Sequence, residues 1–200
     1  GMSHHATEDL AVMRALPGVT CFAPGDPAET EAVTETMLRT PGTCYLRLGR
    51  GNEIRVHEQP VVGWTIPKAI PVVPGEDTVI MTTGGMLPEA VKAAGMLKEK
   101  GIFAGVISFP CIKPLDDDTI REIARKYRRA VTVEEHNTAG GFGSAVCEII
   151  AGLDSRCMIR RIGLEDTYST VVGSQQYLRK VYGMDAEAIC RKTAEWLGRE

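Results

Sequence analysis

Four short apolar runs, at 78–82, 102–109, 130–133 and 157–162, are separated by stretches whose apolar residues recur at helical spacing. Runs of this length that lack alternation read as strands covered on both faces, and strands alternating with helices fold as a doubly wound, mostly parallel sheet. The intervening helices are legible from their inner faces and their ends. One spans about 86–100, with Leu87, Val91, Ala94 and Leu97 facing inward and Gly101 as a left-handed stop. A second begins at Asp116, Asp117 and Asp118 and buries Ile120, Ile123, Ala124 and Tyr127. Three adjacent aspartates invite a metal reading, but at a helix start such charges cap the chain and offset its dipole. A third follows the turn Gly140-Gly141-Phe142-Gly143 and carries Val146, Ile149, Ile150 and Leu153. Two more lie near 174–182 and 185–197, parted by Gly183 and with Asp185 as N-cap.

The first fifty residues repeat the alternation on a smaller scale. Residues 6–16 read as a helix with Thr7 as N-cap and Leu10, Met13 and Leu16 on one face, ended by Pro17-Gly18. A strand at 19–23 follows. Asp26-Pro27-Ala28-Glu29 then combines a capping aspartate, proline at the first helical position and a glutamate three residues after the cap. Ala32, Val33, Thr36 and Met37 give this helix its inner face, and a second strand runs over 43–48. Strand, helix and strand in this order make a parallel pair with a right-handed crossover. Residues 52–76 hold prolines at 60, 67, 71 and 74 with no sustained period, so they read as a linker with a short strand near 61–64. The division expected is 1–51, a linker at 52–76, and 77–200.

A net charge of −3 gives no electrostatic footprint for nucleic acid or anionic membrane. No apolar run is long enough to cross a bilayer. The six cysteines show no paired metal-binding spacing and sit mostly in apolar runs, which suits reduced core residues and a cytoplasmic setting.

Candidate chemistry falls in three places. His4 and His5 are adjacent near the start of the chain. Neighbouring side chains diverge, so one of the pair entering a site as hydrogen-bond partner or proton carrier is a sharper expectation than a shared metal. Arg50 lies between Gly49 and Gly51 just beyond a strand's carboxyl end, where open α/β sheets bind ligands. It suits an anion, and equally a solvated loop arginine. Glu134, Glu135 and His136 end a strand at a site-forming edge and offer either acid/base chemistry or a polar contact. The glycine-rich turn at 140–143 suits an anion-binding helix start or close helix–sheet packing. No serine, cysteine or lysine is presented with a base.

Several segments together resemble a known family. Gly1-Met2-Ser3-His4-His5 with Glu8-Asp9-Leu10-Ala11, Arg14, Pro17, Pro24 and Asp26 resembles the late part of the pyrimidine-binding domain of transketolases. Tyr45-Leu46-Arg47-Leu48-Gly49-Arg50 resembles the strand and substrate arginine that close that domain. Phe109-Pro110-Cys111-Ile112-Lys113-Pro114-Leu115-Asp116, and Thr132-Val133-Glu134-Glu135-His136 through Val146, resemble the family's C-terminal domain. Deoxyxylulose-phosphate synthases and β-type subunits of 2-oxoacid dehydrogenases share much of this pattern, and residues 112–116 tilt the resemblance toward transketolase.

The resemblance implies a partial pyrimidine-domain strand–helix–strand unit followed by a mostly parallel, doubly wound C-terminal domain that serves dimer assembly. It implies transfer of a two-carbon ketol unit between phosphosugars, dependent on thiamine diphosphate and Mg2+ in the complete enzyme. His4 would act on the substrate oxygen at the reacting carbon, His5 would contact substrate, and Arg50 would hold the sugar phosphate. The glutamate and aromatic residues that engage the aminopyrimidine precede Gly1 in the family pattern, and the diphosphate- and metal-binding domain is not in this sequence. The chain alone is therefore expected to bind no cofactor or metal, to need a diphosphate-binding section or subunit, and to self-associate through residues 1–50. A non-catalytic assembly module is the alternative from another functional class.

Overall fold

Strand β4 (Thr78–Thr82) is buried at all of its positions, so its alternating side chains must be covered on both sides. Ile80 points into a core shared with α3 (Leu87–Glu99) and α7 (Ala186–Leu197). Val79 and Met81 point the other way, toward α4 (Asp117–Lys126) and α5 (Phe142–Ala151). The computed structural model describes residues 5–51 and 53–198. Its larger sheet runs in the order β3 (Ile70–Val73), β5 (Ala104–Ser108), β4, β7 (Arg129–Asn137), β8 (Met158–Leu164). All neighbours are parallel except β3, which pairs antiparallel with β5 at the edge. This is the doubly wound α/β unit expected, with helices on both faces.

The local signals act as read. The Asp116 side chain accepts the Thr119 amide, Asp185 accepts that of Ala188, and Gly101 ends α3 at φ +74°. β3 lies inside the proline-bearing stretch read as linker, and 61–64 forms no strand. Pro71 is tolerated because an edge strand has one side free of ladder hydrogen bonds.

The smaller unit holds α1 (Asp9–Ala15), β1 (Val19–Phe22), α2 (Pro27–Met37) and β2 (Thr43–Leu46), with β1 and β2 parallel in register from Val19↔Thr43 to Phe22↔Leu46. Its third strand, β6 (Cys111–Lys113), comes from the other unit and pairs antiparallel with β1. Nothing in the residue pattern announces so short a strand. The Ala23 amide donates to the Pro110 carbonyl at 2.8 Å, and Thr83 Oγ1 donates to the carbonyls of Phe109 and Ala23. The two units are thus sewn along one seam.

α1 starts later than expected. Its N-cap is Glu8, which makes no side-chain cap, and the Thr7 hydroxyl donates to the Glu8 carboxylate instead. The helix finds its cap from a distant strand.

Candidate functional site

Strand β7 does not stop at Val133 but runs on through Asn137, because each residue beyond has a partner waiting. Glu134 is fully buried and accepts the amides of Phe142 and Gly143 at 2.6 and 2.8 Å. These are the first free N–H groups of α5, so the glycine-rich helix start is occupied by the chain's own carboxyl group. Burial pushes Glu134 up to about 7 against the pull of those two amides. A Cβ on Gly141 would lie 2.2 Å from Glu134 Oε2 and 2.5 Å from His136 Nδ1, which leaves room only for glycine.

His136, also fully buried, faces the other unit. Its Nε2 accepts the Ala11 amide of α1 at 3.3 Å while Nδ1 lies 2.6 Å from the Asn137 carbonyl, which fixes a neutral ring protonated at Nδ1. Burial lowers its pKa in keeping with that form. His136 is therefore the missing cap of α1. The end of β7, read from sequence as acid/base machinery or a polar contact, caps one helix in each unit.

Arg47, just past β2, ties the same region together. Its Nη2 donates to the Ala6 carbonyl at 2.8 Å and the Glu135 carbonyl at 2.9 Å, and its Nε lies 3.3 Å from Asp9 Oδ2. The Tyr45 hydroxyl donates to the same Asp9 oxygen at 2.6 Å, and burial with this bond pushes Tyr45 up to about 12. Glu135 in turn accepts from Arg179 at 2.7 Å and from Gln175 at 2.8 Å. Arg179 is 6% exposed, and its second nitrogen stands 3.9 Å from Glu89.

Of the residues singled out from sequence, His4 lies outside the described residues. His5 is half-buried in the segment leading to α1, and Arg50 is exposed in the loop after β2. Arg47 joins these two segments, since it holds the carbonyl next to His5 and sits on the strand exit that leads to Arg50. Sequence reasoning misses the roles of Arg47, Asp9, Tyr45 and Arg179. The available signal is that Arg47 and Tyr45 sit in the same motif as Arg50, at positions that alternate along a strand. Partial or full burial raises the thiols of Cys21, Cys147, Cys157 and Cys190 and pushes Cys111 up to about 12, so these are poor nucleophiles. What remains as candidates are the exposed Arg50 in the loop after β2 and the half-buried His5, next to the residue whose carbonyl Arg47 holds.

Residues 1–54 match the pyrimidine-binding domain of transketolase, and residues 68–189 match the transketolase C-terminal domain. The chain belongs to the transketolase family. A Methanocaldococcus jannaschii protein, named provisionally as a transketolase C-terminal section, is 36% identical over 201 aligned residues, covering 100% of this chain and 62% of that one. One subunit of the apulose-4-phosphate transketolase of Phocaeicola vulgatus is 34% identical, covering 98% of this chain and 62% of the relative. A split-gene transketolase solved as an inactive beta4 tetramer superposes with a TM-score of 0.92 at 33% identity, covering 99% of this chain and 64% of that one. The chain thus spans a little under two thirds of the length of these relatives. Among the described residues, no helix is long and apolar enough to cross a membrane.

Proposed function

We propose that this chain is one part of a thiamine-diphosphate-dependent transketolase that moves a two-carbon ketol unit between phosphosugars, working with a separate diphosphate-binding section or subunit. The observation that carries this reading is the Arg47 bridge, which fixes the segment after His4 and His5 beside the strand exit leading to Arg50. Thiamine diphosphate, held with Mg2+, supplies a stabilised carbanion at its thiazolium ring. The described residues do not fit that group. The glycine-rich start of α5, which could cradle a diphosphate, is filled by Glu134. We infer that the cofactor is held by groups outside the described residues.

This chain's share is positioning and proton handling. Arg50 grips the sugar phosphate through a forked pair of charge-assisted hydrogen bonds, and its exposure leaves the guanidinium open to do so. His4 contacts the oxygen at the reacting carbon and carries its proton, and His5 binds a substrate hydroxyl. We read 1–51 as pyrimidine-domain tail and 77–200 as C-terminal domain, with 52–76 joining them and lending β3 to the larger sheet. Without its partner the chain self-associates through residues 1–50, where Val12, Leu16, Leu38 and Leu48 are exposed. Six free cysteines suit a cytoplasmic setting.

The test is complementation. The chain and a section that carries both the diphosphate-binding domain and the residues that engage the aminopyrimidine, each inactive alone with thiamine diphosphate and Mg2+, should give ketol transfer from a ketose phosphate to an aldose phosphate when mixed. Transfer by this chain alone would overturn the two-part reading. The 36% identity to the 1-deoxy-D-xylulose-5-phosphate synthase of Heliobacterium modesticaldum, of which the chain spans 30%, favours one control. Condensation of pyruvate with an aldose phosphate by the mixture, without ketol transfer, would move the assignment to that subfamily.

A further inference from the structure

Behind α2, at the joint between the two units, Asp26, Glu29 and His57 each offer a ligand atom, all within 4.8 Å of one another. Most of the polar atoms here are accounted for. Asp26 Oδ1 accepts the Glu29 amide, and Oδ2 accepts the amides of Val56 and His57 at 2.9 and 2.8 Å. Glu29 Oε2 accepts the Gly25 amide at 2.6 Å and the Ser108 hydroxyl at 3.0 Å. Three atoms are left over. Glu29 Oε1 and both ring nitrogens of His57 are buried without a hydrogen-bond partner. His57 Nδ1 lies 3.2 Å from Asp26 Oδ2 and 3.9 Å from Glu29 Oε1, yet makes a hydrogen bond with neither.

Leaving such groups unmade is costly, and more so where two carboxylates are buried side by side. The side chains of Asp26 and Glu29 are both 0% exposed. We propose that Asp26, Glu29 and His57 bind one divalent transition-metal ion of the zinc type, which fastens the segment carrying Arg50 to α2. Four-coordinate zinc takes imidazole and carboxylate ligands at bonds of about 2.0–2.2 Å, which sets ligand atoms about 3.3 Å apart. The separations of 3.2 and 3.9 Å bracket that value. One imidazole with two carboxylates suits zinc better than calcium or magnesium, which take all-oxygen sets. The hydrogen bonds already made act as the outer support of a metal site, holding both carboxylates in place. His57 follows Arg50 along the same loop, so an ion here would restrain that loop from below.

The experiment uses the intact chain, stripped with a chelator and titrated with Zn2+ in a calorimeter and with Co2+ in an absorption cell. The proposal expects one ion per chain and the d–d bands of four-coordinate cobalt, with no thiolate-to-cobalt charge-transfer band. His57→Ala should weaken binding about 100-fold or more while leaving the circular dichroism unchanged, and Glu29→Gln should act in the same direction. Bound Zn2+ should also slow hydrogen exchange at the Val56 and His57 amides. Three results would overturn it: no saturable site, binding unaltered in His57→Ala, or a thiolate band that assigns the ion to cysteines. An imidazolium signal from His57 with no ion bound would likewise replace the metal by an ion pair. None of these readouts involves transferase activity.

Discussion

The two units of this chain are built to different standards. The C-terminal sheet is covered on both faces, with nineteen buried residues on the α3/α7 side and twelve on the α4/α5 side. Among the described residues, the N-terminal sheet has two small clusters, of five and three buried residues, and each includes a residue of the borrowed β6. The weaker unit nevertheless carries His5 and Arg50. It is held less by a core of its own than by polar attachments to its neighbour: β6 on β1, His136 on α1, and Arg47 across to Glu135. The proposed site would then stand on loops whose base is fixed by these attachments.

The most severe way to break this comparison is Phe22→Ala. Phe22 is fully buried in the smaller cluster and its ring stands edge-on to Trp64, so the loss should be about 3–5 kcal/mol. Hydrogen exchange should show α1, β1 and β2 opening while β4, β5 and β7 stay protected. Uniform loss of protection would mean that the units do not differ in local stability. Next comes Arg47→Met, which leaves two carbonyls without their donor and removes the guanidinium paired with Asp9, and should cost about 2 kcal/mol in urea denaturation. In the complemented enzyme it should lower kcat, because the segment bearing the histidines is released.

Arg50→Ala should leave the melting temperature within a degree or so, as exposed substitutions do, yet raise KM for a phosphosugar at least about tenfold. An unphosphorylated sugar should show no such change, and an equal rise for both would remove Arg50 from the phosphate. The gentlest probe is pH. Glu134 is raised from 4.5 to about 7, so its contribution to stability is fully present below 4.5 and is lost as pH climbs through 7. His136 is lowered from 6.5, so its contribution is present above 6.5 and is lost as pH falls through its folded value. The two oppose each other where their ranges overlap, below 6.5. Glu134→Gln should remove the first slope, and its stability deficit against the parent should shrink as pH rises from 4.5 to 7. A deficit independent of pH would show that Glu134 is not the group titrating.

What can be read from the sequence is local. Asp26-Pro27 with Glu29, Asp116 and Asp185 announce helix starts through bonds that close within a few residues. Even there the detail shifts, since the Glu29 carboxylate reaches back to the Gly25 amide rather than to that of Asp26. What cannot be read is set by partners far along the chain. Thr7 has the residue type and position of a cap for α1, but His136 does the work from 125 positions away. The turn at 140–143 has the composition of an open anion site, because nothing local says that Glu134 will fold into it. β6 has three residues and no period, and exists because β1 offers an edge. The proposed site follows the same rule: Arg50 and the histidines are visible as motif residues, whereas Arg47 acquires its bonds only when β2 and β7 meet.

The borrowed strand sets how this molecule can be taken apart. β6 belongs to one unit by covalent continuity and to the other by hydrogen bonding, so severing the backbone between 57 and 69 does not sever the sheet. A protease nick there should release two pieces that still travel together through a sizing column, parted only by denaturant. Each piece made alone would carry a raw β-edge, one missing its third strand and the other displaying it. The natural place to divide such a protein is therefore elsewhere than its most linker-like stretch.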